Sequence, residues 1–144
     1  MITLNILQHL EDNNLGTLNI DGSSTGSRLL WWEKLPEGKS GIYILSDGAP
    51  LDRALKTTQN FTLYSRGSSN DVEGNQWLED ILTFFQTDCY PVCDLPIVPG
   101  YSDNEYTNVT IIPSSNIQNI GKDDTNRLIW SASATVTYTK KETV

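Results

Sequence analysis

Apolar and polar residues alternate along residues 61–66, with Phe61, Leu63 and Ser65 on one side and Thr62, Tyr64 and Arg66 on the other. A period of two predicts a half-buried strand. Gly67, Ser68 and Ser69 break the pattern. Asn70 followed by Glu73 predicts a helix start, because each side chain can satisfy a backbone donor of the first turn. Leu78, Ile81, Leu82 and Phe85 then recur at helical spacing, flanked by Trp77 and Phe84. Burying those four stripe residues contributes roughly 6–12 kcal/mol gross, at about 1.5–3 kcal/mol each. This strand–turn–helix unit is the expected centre of the fold.

The remaining patterns extend it. Ile2, Leu4, Ile6, Leu7 and Leu10 predict a first helix over residues 2–13, stopped by Asn13, Asn14 and Gly16. Leu18 and Ile20 suit a short extended piece. Residues 21–27 form a hydroxyl-rich loop without the Gly-Lys-Ser/Thr ending of a phosphate cradle. Residues 28–35 predict a strand whose run Leu29-Leu30-Trp31-Trp32 is apolar on both faces, which places it deep in a sheet or between subunits. A turn at 36–41 and a strand at 42–45 complete an expected antiparallel hairpin. Residues 51–56 suit a helical turn or an edge segment.

After the main helix, residues 87–106 show no period, and a loop of such length is commonly functional or mobile. Residues 108–112 predict a strand ended by Pro113, and residues 114–125 are polar and turn-rich. Residues 127–140 carry the clearest alternation: Leu128, Trp130, Ala132, Ala134, Val136 and Tyr138 against Ile129, Ser131, Ser133, Thr135, Thr137 and Thr139. One packed face and one wetter face follow. The expected fold class is α+β. It is a mostly antiparallel sheet, with an N-terminal helix and one main amphipathic helix packed on one face. The 144 residues suit a single domain, with the last ~4 residues frayed.

Charge changes the picture in one place. The formal net charge is −8. Between Gly67 and Gly121 stand Asp71, Glu73, Glu79, Asp80, Asp88, Asp94, Asp103 and Glu105, with no Lys or Arg. That block accounts for the whole imbalance. Acidic surface repels phosphate, which argues against tight nucleic-acid binding but allows DNA to pass nearby. The hydrophobic runs are too short to span a bilayer as a helix. The first ten residues lack a basic flank and a small-residue cleavage site, so no secretory signal is expected.

Candidate chemistry is sparse. Cys89 and Cys93 are two thiols with three residues between them, and two thiols cannot complete a four-ligand zinc site. His9, the only histidine, lies 80 positions before Cys89. Inert half-buried thiols or a local disulfide are the two readings. Asp103 and Glu105 form a carboxylate pair on a loop, where solvation is the simpler role. Trp31, Trp32, Trp77 and Trp130 admit carbohydrate or peptide stacking, but three sit in periodic segments, which favours packing. No catalytic, cofactor-binding or metal-binding residue is assigned, and no cofactor is expected.

The order of elements resembles the tail-terminator and minor-capsid (head–tail joining) proteins of long-tailed bacteriophages. The residues carrying the resemblance are Phe61-Thr-Leu-Tyr-Ser-Arg-Gly-Ser-Ser68 and Trp77-Leu78-Glu79-Asp80-Ile81-Leu82, followed by a final strand rich in Thr, Ser and Tyr. The first helical turn departs from the family, which often has alanine where this chain has residues 70–76.

The resemblance implies a structural virion protein rather than an enzyme. It would be made in the host cytoplasm and located at the head–tail interface. Copies would close into a ring, in the family a hexamer, that caps the tail tube. The ring would meet the major tail tube protein on one side and the head-connector or stopper protein on the other. DNA would pass through without specific binding, and no membrane is involved. Trp31, Trp32, Tyr64, Arg66, Tyr90 and Tyr101 are the candidate subunit or tube contacts. The alternatives are another head–tail joining protein, a small tryptophan-based carbohydrate- or peptide-binding module, or an enzyme.

Overall fold

A computed structural model of the chain describes residues 2–22, 28–33, 40–48, 51–53, 56–67, 71–123 and 126–139. In chain order the elements are α1 (Ile2–Asp12), β1 (Thr17–Leu18), β2 (Leu29–Trp32), β3 (Gly41–Ser46), β4 (Leu51–Arg53), β5 (Lys56–Arg66), α2 (Asp71–Asp88), β6 (Cys93–Leu95), β7 (Tyr106–Pro113), β8 (Gln118–Lys122) and β9 (Leu128–Thr139). The fold is α+β. Asn70 and the final residues 141–144 lie outside the described residues, so the expected helix cap and frayed end do too.

The long strands β5 and β9 pair antiparallel from Lys56↔Thr139 to Ser65↔Trp130. On the outer edge of β5, β3 covers residues 61–66 and β4 covers 56–58. On the outer edge of β9, β7 covers residues 134–137 and β8 covers 128–131. The sheet continues through β3 to β2 and β1, and through β7 to β6.

The strands β2 and β3 correct the expected hairpin. They run parallel, with Leu30 opposite Ile42 and Trp32 opposite Ile44. Eight residues, 33–40, connect them. At about 3.3 Å per extended residue they can return the chain beside the strand it has just left. A short turn between two apolar runs therefore does not decide the pairing. Gly41 opens β3 with φ 144, and a Cβ there would lie 2.5 Å from the Leu29 carbonyl oxygen. Only glycine combines that dihedral with that approach. Gly41→Ala is expected to cost about 1–3 kcal/mol, read as a lower denaturant midpoint. An unchanged midpoint would contradict the assigned close contact.

One face of the sheet holds the core. Ile42, Ile44, Phe61, Leu63, Val109, Ile111, Ala132, Ala134 and Val136 meet α1 and α2 there. The stripe of α2 is centred slightly differently from the expectation: Trp77, Leu78, Ile81 and Phe85 are buried, whereas Leu82 and Phe84 are half-buried. Gly74 lets α2 sit close to β5, where the Ser65 hydroxyl donates to the Gly74 carbonyl at 2.7 Å.

The opposite face is polar over β9. Thr62 and Ser133 hydroxyls lie 3.0 Å apart, and the Thr135 hydroxyl donates to Asn60 Oδ1 at 2.7 Å. At the other end of this face Leu29, Trp31 and Tyr43 form a second small apolar cluster, with Tyr64 against it.

Residues 87–106 are not the expected loop. The helix α2 runs to Asp88, β6 pairs with β7, and a turn joins Val98 to Ser102. A buried polar side chain holds this segment in place. Asn5 of α1 donates to the carbonyls of Pro96 at 2.9 Å and Asn104 at 3.0 Å, and its Oδ1 accepts from the Ser102 hydroxyl.

Candidate functional site

The six predicted contact residues divide into two groups. Trp31, Trp32, Tyr64 and Arg66 are turned into the molecule. Trp31 is buried in the cluster with Tyr43, and its indole N–H reaches the Ser40 carbonyl at 3.4 Å. Trp32 is half-buried against the main core and donates to the Thr3 hydroxyl at 2.9 Å. Arg66 is buried: it meets Asp123 Oδ2 at 2.6 Å and Tyr43 Oη at 2.5 Å, with its guanidinium 5.4 Å from the Tyr43 ring centre. Burial pushes the Tyr43 phenol up, while the Arg66 charge opposes that shift.

Tyr90 and Tyr101 face outward, 59% and 50% exposed. They do not stand alone. Val92 and Ile97 on the same segment are also exposed, as are Ile112 on β7 and Ile120 on β8. All five residues of β8 are exposed, and among the described strands β8 pairs only with β9. Its other edge therefore presents backbone donors and acceptors beside Ile120, the arrangement through which sheets add a strand from another chain.

The chain matches no family model and no curated protein. Its local geometry must carry the functional reading.

A second arrangement lies where α1, α2 and β6 meet. His9 is in the last turn of α1, Asp88 ends α2 and Cys89 follows it, and Cys93 opens β6. The His9 imidazole Nε2 lies 2.7 Å from Asp88 Oδ2. The Cys89 thiol points to the same carboxylate oxygen at 3.5 Å, and the Cys93 Sγ lies 2.8 Å from Cys89 Sγ. One donor atom from each of the four residues lies within 4.8 Å of the others.

Cys89 is buried and Cys93 half-buried, both as free thiols. The Cys89 thiol is pushed up by its hydrogen bond with Cys93, then by burial and by the nearby Cys93 and Asp88. The His9 ring also packs against Phe84, with ring centres 5.4 Å apart.

The separation of His9 from the cysteines in sequence hid this meeting. Packing of α1 beside β6 brings them together. The only sequence clue was that His9 and Leu10 share the end of one amphipathic helix.

Asp103 and Glu105 remain exposed. Glu105 lines an open hollow together with Asp12, Asp94 and His9. Of the four tryptophans, Trp77 and Trp31 are buried and Trp32 and Trp130 half-buried.

Proposed function

We propose that this chain is a structural assembly protein that works as a closed ring of identical copies. The supporting observation is the run of exposed large apolar side chains on residues 90–101, namely Tyr90, Val92, Ile97 and Tyr101, with Ile112 on β7, Ile120 on β8 and Val72 on α2 exposed as well. Large apolar residues exposed close together along the chain favour an association surface over ordinary solvent contact. The open edge of β8 adds a backbone route for the same contact. A heterologous contact of this kind joins one edge to a different patch on the next copy, and it closes into a ring when the rotation permits.

Within that class, the resemblance favours capping of a phage tail tube, with the head connector on the opposite side. The acidic block then has a physical use. Several copies would bring several blocks together, and facing a channel they would keep DNA mobile by repulsion. The tryptophan-based binding module has less support, since the indoles are drawn into packing rather than offered as stacking faces.

The experiment mixes the purified chain with a polymerising major tail tube protein of a long-tailed phage. Tubes are expected to stop growing and to carry density at one end in negative-stain images. Tubes of unaltered length with bare ends would overturn the capping role. Tyr90→Asp combined with Tyr101→Asp is expected to shift the assembled species toward monomer while leaving the melting temperature within about 4 °C, since each exposed position usually changes stability by less than about 0.5 kcal/mol. A double variant that assembles like the parent would remove residues 90–101 from the contact.

A further inference from the structure

The four side chains at the α1–α2–β6 junction form a donor set that packing alone does not require. Two thiol sulfurs, one imidazole and one carboxylate converge from three separate elements. Thiolate, imidazole and carboxylate together are ligands of Zn2+, which favours four of them at tetrahedral corners. Bond lengths of about 2.3 Å to sulfur and 2.0–2.2 Å to nitrogen and oxygen set the required spacing. A tetrahedron of that size separates the sulfurs by about 3.8 Å and the nitrogen from the oxygen by about 3.3 Å.

The contacts here are 2.8 Å between the sulfurs and 2.7 Å between His9 and Asp88. The donors crowd together more closely than ligands around an ion would. Admitting the ion needs outward movements of about an ångström, within reach of side-chain rotation. A route inward exists, because the Asp88 side chain is 39% exposed and His9 14% exposed. The hollow beside His9 is lined by Asp12, Asp94 and Glu105, which would attract a cation to its mouth.

We infer that His9, Asp88, Cys89 and Cys93 bind one Zn2+ as a structural site that ties the end of α1 to the end of α2 and the start of β6. Binding displaces the two thiol protons to solvent and changes no oxidation state: Zn2+ plus two thiols gives a zinc dithiolate and two protons. The ion is closed in by four protein ligands, which suits a staple rather than a catalytic centre. It would fix the root of the segment bearing Tyr90, Val92, Ile97 and Tyr101. The site does not depend on the assembly reading, and its failure would leave the ring test untouched.

The test uses tag-free full-length chain purified under reducing conditions and dialysed against excess Zn2+, then against metal-free buffer. Elemental analysis is expected to find one zinc per chain, and a chelator is expected to lower the melting temperature. Replacement by Co2+ is expected to give the visible bands of tetrahedral cobalt and a thiolate-to-cobalt charge-transfer band. His9→Ala is expected to weaken zinc binding by more than the ~10–100-fold typical of losing an outer-shell partner. Cys93→Ser is expected to abolish the charge-transfer band or reduce it by half.

The wild-type readings decide, since they do not depend on how a variant folds. Retention of far less than one zinc per chain, with an octahedral cobalt spectrum, would overturn the site. So would an intact mass two hydrogens lighter after purification without reductant, if zinc added under reducing conditions still failed to bind.

Discussion

Trp77→Ala is expected to lower the free energy of unfolding by about 3–5 kcal/mol, the range for removing a large buried aromatic. Trp77 is among the largest fully buried side chains, only 1% exposed. Its loss opens a cavity in the main core that the surrounding side chains cannot fill without moving backbone. Two further contacts go with it. The indole N–H donates to the Leu15 carbonyl at 2.7 Å, tying the stretch after α1 to α2, and the Arg28 guanidinium lies 5.5 Å from the ring centre.

Trp77→Phe separates these effects, because it keeps much of the volume and loses the donor. Its cost is expected to be smaller, about 1–3 kcal/mol for a polar group left without its partner. Urea unfolding of both variants checks the order. A Phe variant as unstable as the Ala variant would mean that the Leu15 bond, not the volume, dominates. For a domain whose total stability is of order 5–15 kcal/mol, the Ala variant loses a large share.

The second large effect is at Arg66. Arg66 and Asp123 form a buried ion pair, with side chains 7% and 8% exposed. Arg66→Ala is expected to cost about 3–5 kcal/mol, because it leaves a buried carboxylate with a weaker partner. Arg127 remains near Asp123, but its Nε is 3.6 Å away, and Tyr43 loses the guanidinium above its ring.

The pair itself is not expected to be worth that much. Burying two charges costs desolvation that their attraction only partly offsets. The combined variant Arg66→Met with Asp123→Leu is therefore expected to be much more stable than Arg66→Ala. Thermal unfolding measured on both separates a broken pair from a missing one. If the combined variant were the weaker of the two, the network would contribute net stability in its own right.

Much of the fold was legible in the sequence wherever one face of an element is buried and the other is not. The alternation of Leu128 to Thr139 and of Phe61 to Arg66 marked the two strands at the centre. The spacing of Leu78, Ile81 and Phe85 marked α2. What failed was set by contacts between distant residues. The parallel pairing of β2 with β3 is a choice of direction between two apolar runs, which their composition does not encode. The strand β8 is exposed at every position, so no alternation could reveal it.

The segment from Cys93 to Ser102 is ordered through Asn5, a polar residue inside a helix whose apolar pattern gave no hint of two carbonyl partners. The same applies to the sites. The exposure of Tyr90 and Tyr101 was legible from aromatics on an aperiodic stretch, where few packing roles compete. The burial of Arg66 was not, because alternation placed it on the face away from the main core but could not place Tyr43 and Asp123 against it. The donor cluster at His9 needed the third dimension altogether.

The claim that copies of this chain close on one another is tested most directly by its mass in solution. Native mass spectrometry and light scattering across a concentration series are expected to show a single closed species. For six copies of 16.1 kDa that species is about 97 kDa, and images should show a ring with a central opening. A chain that stays monomeric at every concentration up to its solubility limit would contradict the account.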